Sequence, residues 1–143
     1  FSTRTESPES LQLSYANADV VAISSKGELA MVSNRRQLRA YARPGTLTRG
    51  PLSGGASRDV LEDVQDADWL PDASNLVVAH VVKNRYRLEF PIGKPLYEAV
   101  YVSNVRVSPR GDLVAFADHP LAGDNRGDVR QRQFRSVPDA DRL

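Results

Sequence analysis

Three copies of one short pattern constrain this chain more than any other feature. Each copy is an apolar strand, a tight polar turn and a second apolar strand. The copies span residues 21–32, 67–78 and 105–116. With Ile23, Trp69 and Val107 taken as equivalent, the spacings are 46 and 38 residues, near the roughly 40–50 residues of a four-stranded propeller blade. The pattern predicts an all-β fold: a partial β-propeller of about two four-stranded antiparallel blades plus part of a third.

The turns of the three copies support their equivalence. Gly27 and Gly111 stand where a tight turn needs a positive φ, which glycine adopts without a Cβ clash. The middle copy has Ala73 at that position. We expect the middle turn to be one residue longer than the third.

The strand-like segments divide the chain into blades. The second blade is predicted with strands at 66–70, 76–82, 85–91 and 95–100, and with Lys83-Asn84 as a two-residue hairpin loop. The chain divides into a leading segment at 1–19, blade 1 at 20–63, blade 2 at 64–102, a partial blade 3 at 103–128 and a tail at 129–143. The leading segment is interpreted as the outer strand of a preceding blade or as a strand that closes onto another. The tail is expected to be frayed or disordered, because Val129–Arg135 is too charged for a blade strand.

Composition excludes several classes of function. The chain has 19 basic and 18 acidic residues, a net charge of +1 and no cysteine. The basic residues are scattered rather than gathered in one stripe, so we expect no nucleic-acid partner. No apolar run approaches the roughly 18 residues of a membrane span. The first residue is not methionine and no signal-peptide pattern follows, so we interpret the sequence as a piece of a longer protein.

The third turn carries a resemblance to a known family. Ser108-Pro109-Arg110-Gly111 followed by an apolar strand resembles the Ser-Pro-Asp-Gly turn of TolB-type, WD-like propeller repeats. The second copy has Leu70 and Ala73 in place of the usual serine and glycine, and the first copy lacks the proline. More narrowly, residues 45–69 resemble the propeller that follows the kinase domain of bacterial serine/threonine protein kinases. This resemblance implies a sensory or scaffolding propeller appended to a catalytic domain absent from this chain, extracytoplasmic where such a kinase is membrane-anchored.

Few residues suggest chemistry, and each has a structural interpretation. We interpret His80 as a packed histidine, since valines surround it, and Trp69 as a side chain packed between blades. His119 and Asp118 precede Asp124, Asn125 and Asp128. The spacing of these residues is not that of a calcium loop, so a solvated turn is expected there.

Three aspartates crowd the start of the second blade. Asp63, Asp66 and Asp68 are expected to accept hydrogen bonds from the backbone of turns or to pair with arginines across blades, rather than to perform acid–base catalysis. No histidine is placed by the sequence to activate a serine. We therefore predict no catalytic, cofactor-binding or metal-binding residue and a chain that is not an enzyme.

The long loop Ser33–Gly45 is the candidate partner-binding loop. It carries Arg35, Arg36, Arg39 and Arg43, which would meet an acidic partner or phosphates; the alternative is a solvated basic loop.

Two functions from different classes follow. The first is a non-catalytic protein-interaction or ligand-sensing propeller module, with the partner unspecified and self-association through open blade faces expected. The second is the gating propeller of a serine hydrolase of the prolyl oligopeptidase or dipeptidyl peptidase kind, whose catalytic domain lies elsewhere. A decayed copy without function is the third alternative.

Overall fold

The computed structural model describes residues 1–38, 42–120 and 128–133 of the chain. In these residues the fold is all-β, every pair of neighbouring strands is antiparallel, and no helix is long and apolar enough to cross a membrane. The strands are β1 (Ser2–Thr3), β2 (Ser10–Leu11), β3 (Ala18–Ile23), β4 (Glu28–Ser33), β5 (Gly45–Pro51), β6 (Arg58–Trp69), β7 (Leu76–Val82), β8 (Arg85–Glu89), β9 (Pro95–Ala99), β10 (Tyr101–Val107), β11 (Leu113–His119) and β12 (Asp128–Gln133).

Strand β6 organises the largest sheet because it serves two sets of partners. The sheet has the order β3-β4-β5-β6-β7-β8-β9. The first half of β6 pairs with β5 and its second half pairs with β7, so that Val64 faces both Gly45 and His80. A positive φ of 58° at Asp63 and a register shift just after Val64 let the strand change partner.

Three repeats can be defined from this arrangement. The first repeat is β3, β4, β5 and the first half of β6; the second is the second half of β6 with β7, β8 and β9; the third is β10, β11 and β12. Within the second repeat, the predicted strand 76–82 is observed unchanged, and the last two are observed at Arg85–Glu89 and Pro95–Ala99. Lys83 and Asn84 have φ values of 49° and 63° and form the predicted two-residue hairpin loop.

The turns between the first and second strands of the three repeats share one conformation. Gly27, Ala73 and Gly111 have φ values of 74°, 61° and 71°. Each donates its N–H to the carbonyl three residues earlier. Ala73 therefore occupies the left-handed region despite its Cβ, which confirms the equivalence drawn from the sequence. The expected difference in length is wrong: the closing hydrogen bond spans five residues in the second and third turns, and four in the first.

The charged segment near the C-terminus differs from its expectation. Asp128–Gln133 forms β12 and pairs with β11 along its whole length, from Leu113↔Gln133 to Asp118↔Asp128. The prediction of a frayed segment from residue 129 is therefore wrong over 129–133. Pairing at the edge of a sheet depends on backbone groups, and it does not require apolar side chains on the added strand. Residues 134–143 lie outside the described residues.

Two hydrophobic cores join the repeats. The first core lies between the first and second repeats, and the second core lies between the second and third. Trp69 is buried in the first core, as predicted. The first core contains Ala22, Ala30, Val32, Leu47, Val64, Ala67, Trp69, Leu76 and Val78. The second contains Ala42, Leu70, Val77, Ala79, Tyr86, Leu88, Phe90, Ala99, Val102, Val105, Val114 and Phe116.

Candidate functional site: a cleft between three equivalent strands

The candidate site is a cleft of about 420 Å³ lined by β3, the second half of β6 and β10. Val20, Asp66 and Asn104 hold the same position in their repeats, each three residues before the equivalent Ile23, Trp69 and Val107. All three line this cleft. The complete lining is Val20, Val21, Arg35, Gln65, Asp66, Tyr101, Ser103, Asn104, Arg106 and His119. A cleft of this size falls within the range of small-molecule sites.

Two carboxylates tie β6 to β10 at one wall of the cleft. Asp66 accepts the N–H of Ala67 at Oδ1 (2.9 Å) and that of Val105 at Oδ2 (2.8 Å). Asp68 forms the same kind of pair: its Oδ1 accepts the N–H of Trp69 (2.9 Å) and its Oδ2 accepts that of Val107 (2.8 Å). We call these two groups the carboxylate bridges. Asp66 and Asp68 thus accept backbone hydrogen bonds, but from strands β6 and β10 rather than from a turn as predicted, and Asp63 forms an ion pair with Arg36, as the predicted pairing with arginines allows.

Burial dominates the electrostatics of Asp66. It raises the pKa of that carboxyl above its usual value, although the N–H groups of Val105 and Ala67 and the nearby Arg106 act in the opposite direction. The pKa of Tyr101 is also raised, mainly by burial. The carboxylate of Asp66 is therefore an acceptor whose two oxygens are already engaged within the protein.

A serine and a histidine meet at the other wall. Ser103 Oγ lies 3.0 Å from His119 Nε2, and the ring of His119 packs on that of Tyr101 with centroids 4.6 Å apart. His119 is only 8% exposed and belongs to β11. The expected solvated turn is therefore wrong at His119, and also at its neighbour Asp118, which is buried and accepts the hydroxyl of Tyr97.

Sequence reasoning missed this contact because of a β-bulge. Arg106 pairs with Ala115, yet Ser103 pairs with Ala117, so the register shifts by one residue between them. Asn104 lies in the shift with a φ of 54°. An unshifted hairpin would place Ser103 and His119 on opposite faces. An asparagine, which tolerates a positive φ, is the one sequence signal that marks the bulge.

The predicted partner-binding arginines do not act as one group. Arg35 turns into the cleft, with its side chain 14% exposed, and its guanidinium bonds to Asp19 Oδ2 (2.6 Å) and to the carbonyl oxygens of Arg43 (2.6 Å) and Gln65 (3.2 Å). Arg36 is half-exposed and paired with Asp63. Arg43 is exposed, and Arg39 lies outside the described residues.

The loop itself is anchored rather than simply solvated. Its Ala42 is buried in the second core, and Leu38 packs against the same core. The N–H of Arg43 donates to Gln65 Oε1 at 2.9 Å. The loop thus lies across β6, which is how it delivers Arg35 to the cleft.

Other predicted chemistry lies away from the cleft. His80 is buried, as predicted for a packed histidine, and its Nε2 lies 3.0 Å from Glu89 Oε1. Within residues 1–38, 42–120 and 128–133, no group of three His, Cys, Asp or Glu has an arrangement that could hold a metal ion. Asp124 and Asn125 fall outside these ranges.

The chain was also compared with known proteins. No family model matches it, and no curated protein matches it. The resemblance of its turns to TolB-type repeats therefore remains a prediction, and function has to be inferred from the cleft.

Proposed function

We propose that this chain is an arc of a β-propeller that serves as a non-catalytic ligand-sensing module, with its ligand bound in the cleft between β3, β6 and β10. In this proposal each repeat is a blade, and the three strands are the inner strands that face the axis of the ring. The shared strand β6 and the three equivalent turns support this assignment.

The observation that carries the proposal is the convergence of polar groups beside an apolar residue in one cleft. The three equivalent positions contribute Val20, Asp66 and Asn104. The largely buried side chain of Arg35 and the buried His119 also line this space. Concave sites with a few convergent polar groups on an apolar wall are typical of ligand binding.

The resemblance of the turns to TolB-type repeats suggests in which kind of protein the module works. A TolB-type propeller next to a kinase domain would act as a sensor of a bacterial signalling protein, and its ligand would alter the neighbouring domain. In that setting the serine–histidine contact positions hydrogen-bonding groups toward a ligand and performs no bond cleavage. Function then resides in the site rather than in the fold.

Nuclear magnetic resonance can test the cleft directly. We expect compounds that bind, from a library of small polar molecules, to shift the backbone amide signals of residues 20–21, 65–66 and 101–106. The Val20→Trp variant should abolish these shifts, because Val20 is 53% exposed and the larger ring would fill the cleft. Ile23→Trp is the matched control: Ile23 is 57% exposed on the same strand and does not line the cleft.

Two results would contradict the proposal. One is that no compound shifts these signals. The other is that binding survives Val20→Trp and shifts the signals of the basic loop or of the β8–β9 hairpin instead.

A further inference from the structure

We infer that the cleft takes a compact apolar monocarboxylate whose carboxylate binds the guanidinium of Arg106. This inference rests on the proposed function and specifies the ligand of the same site. Three properties of the cleft support it: Arg106 is an accessible charge, Arg35 and Asp66 are engaged within the protein, and β3 contributes apolar side chains.

Arg106 is the accessible charge. Its side chain is 62% exposed. Among the described residues, its polar contacts are a hydrogen bond from Nη1 to the carbonyl oxygen of Val105 and an approach of 3.9 Å from Nη1 to Asp66 Oδ2. The Nε and Nη2 donors therefore remain for a ligand, and a guanidinium presents such donors in the fork that a carboxylate fits.

The other charges of the cleft are engaged. Arg35 uses Nε for Asp19 and Nη1 for two backbone carbonyl oxygens, and its side chain is only 14% exposed, so it is less accessible to a ligand than Arg106. Both oxygens of Asp66 accept backbone N–H groups, and its side chain is 13% exposed. A cationic ligand would have to compete for the oxygens of a buried carboxylate, whereas an anion meets unused donors.

Asp66 also limits the charge of the ligand. Its carboxylate lies close to Arg106, so its repulsion of an anion offsets part of the attraction by Arg106, and both double for a doubly charged phosphate. The second charge of a phosphate therefore gains little from this pair, while it costs more to remove from water. The positive charge of Arg106 balances one negative charge. A monocarboxylate therefore fits this wall better than a phosphate monoester.

The β3 side of the cleft is apolar. Val20 and Val21 line the cleft from β3, and Arg106 and Tyr101 line it from β10. The ring of Tyr101 is fixed edge-on against Tyr86, with centroids 5.1 Å apart and an interplanar angle of 78°. Exposed Val20, partly buried Val21 and an ordered aromatic ring in one cleft favour a flat apolar body beside the carboxylate.

Four small probes with the same phenyl body separate the alternatives. Phenylacetate carries one negative charge, phenylacetamide none, 2-phenylethylammonium one positive charge and phenyl phosphate up to two negative charges. Titration of each into the full chain, followed by the amide signals of residues 101–106, gives a dissociation constant for each probe. We expect phenylacetate to bind at least about tenfold more tightly than the amide, since hydrogen bonds to charged groups are the stronger ones.

Arg106→Gln should weaken phenylacetate binding at least about tenfold and leave the amide unchanged. Arg110→Gln is the matched control, because Arg110 is exposed in the third turn and does not line the cleft. Tighter binding of the ammonium or of phenyl phosphate in the cleft, or an Arg106→Gln variant that binds phenylacetate normally, overturns the monocarboxylate and leaves the proposed cleft function in place. If no probe shifts the cleft signals, the monocarboxylate is again overturned, and the library screen with Val20→Trp decides the function of the cleft separately.

Discussion

The two junctions between repeats occupy equivalent places and use different chemistry. At the first junction, Trp69 is buried against the first repeat, and the guanidinium of Arg49 lies over its ring, 4.6 Å from the centroid. At the second junction, the carboxylate bridges of Asp66 and Asp68 join β6 to the backbone of β10. Packing around one indole holds the first junction, whereas directional hydrogen bonds strengthen the second.

The difference comes from two positions on strands β3 and β6. Val20 and Ala22 occupy in β3 the positions that Asp66 and Asp68 occupy in β6. Valine and alanine offer no acceptor to the next strand, so at these two positions β3 meets β6 through contact area and shape. A repeated fold can therefore keep its geometry while the interaction between its units changes from apolar to polar. Each prediction below tests that assignment at one junction.

The largest effect is expected for Trp69→Ala. Removing a buried tryptophan costs about 3–5 kcal/mol of unfolding free energy, because transfer energy is lost and a cavity remains. Urea denaturation followed by circular dichroism would measure this, since the variant loses the chain's one tryptophan. Hydrogen exchange should increase in β3, β4 and β5 more than in β10 and β11.

Trp69→Phe is the matched control. The indole Nε1 is buried with no hydrogen-bond partner among the described residues, so phenylalanine loses area and no hydrogen bond. We expect Trp69→Phe to retain more than half of the unfolding free energy that Trp69→Ala loses. Equal loosening of all three repeats in the alanine variant would show that the junctions are not independent.

An intermediate effect is expected for Asp68→Ala at the second junction. The change leaves the N–H groups of Trp69 and Val107 without their acceptor, and an unsatisfied buried donor costs about 1–3 kcal/mol. Asp59→Ala, an exposed aspartate on the same strand, should change stability by less than about 0.5 kcal/mol. Equal denaturation midpoints for the two variants would mean that the bridge does not hold the junction.

The sequence predicted what depends on local pattern. The alternation of apolar and polar residues located the strands of the second repeat, and the shared turn at Gly27, Ala73 and Gly111 established the equivalence of the repeats. It also indicated a structural role for Asp66 and Asp68 as hydrogen-bond acceptors at the start of the second repeat. It did not indicate which strand donates, since that depends on how the repeats pack.

The parts of the cleft that the sequence missed depend on register and on long-range placement. A one-residue bulge beside Asn104 brings Ser103 to the face of His119, and no periodicity reveals such a shift. Arg35 reaches the cleft only because its loop is anchored on the second core by Ala42. The basic residues of the loop Ser33–Gly45 suggested that it is solvated, whereas burial of Ala42 fixes the loop against the second core.

The smallest expected effect is the pH dependence of the two junctions, which should have opposite signs. Glu28 forms a bidentate pair with Arg49, at 2.7 and 2.8 Å, beside Trp69. The hydrogen bond from Arg49 is the main cause that lowers the pKa of Glu28 in the folded state. A lowered pKa contributes stability that is present above the usual value of 4.5 and is lost as the pH falls through the folded-state pKa.

Asp66 behaves in the opposite way, because burial raises its pKa above the usual value of 3.8. Its contribution is present below 3.8 and is lost as the pH rises through the raised folded-state pKa. Glu28→Gln should therefore cost about 1 kcal/mol or less at pH 7 and progressively less on acidification. For Asp66→Asn, the stability of the wild type relative to the variant should grow on acidification. Urea denaturation from pH 7 to pH 4 measures both differences, and parallel slopes for the two variants would contradict the assignment of different electrostatics to the two junctions.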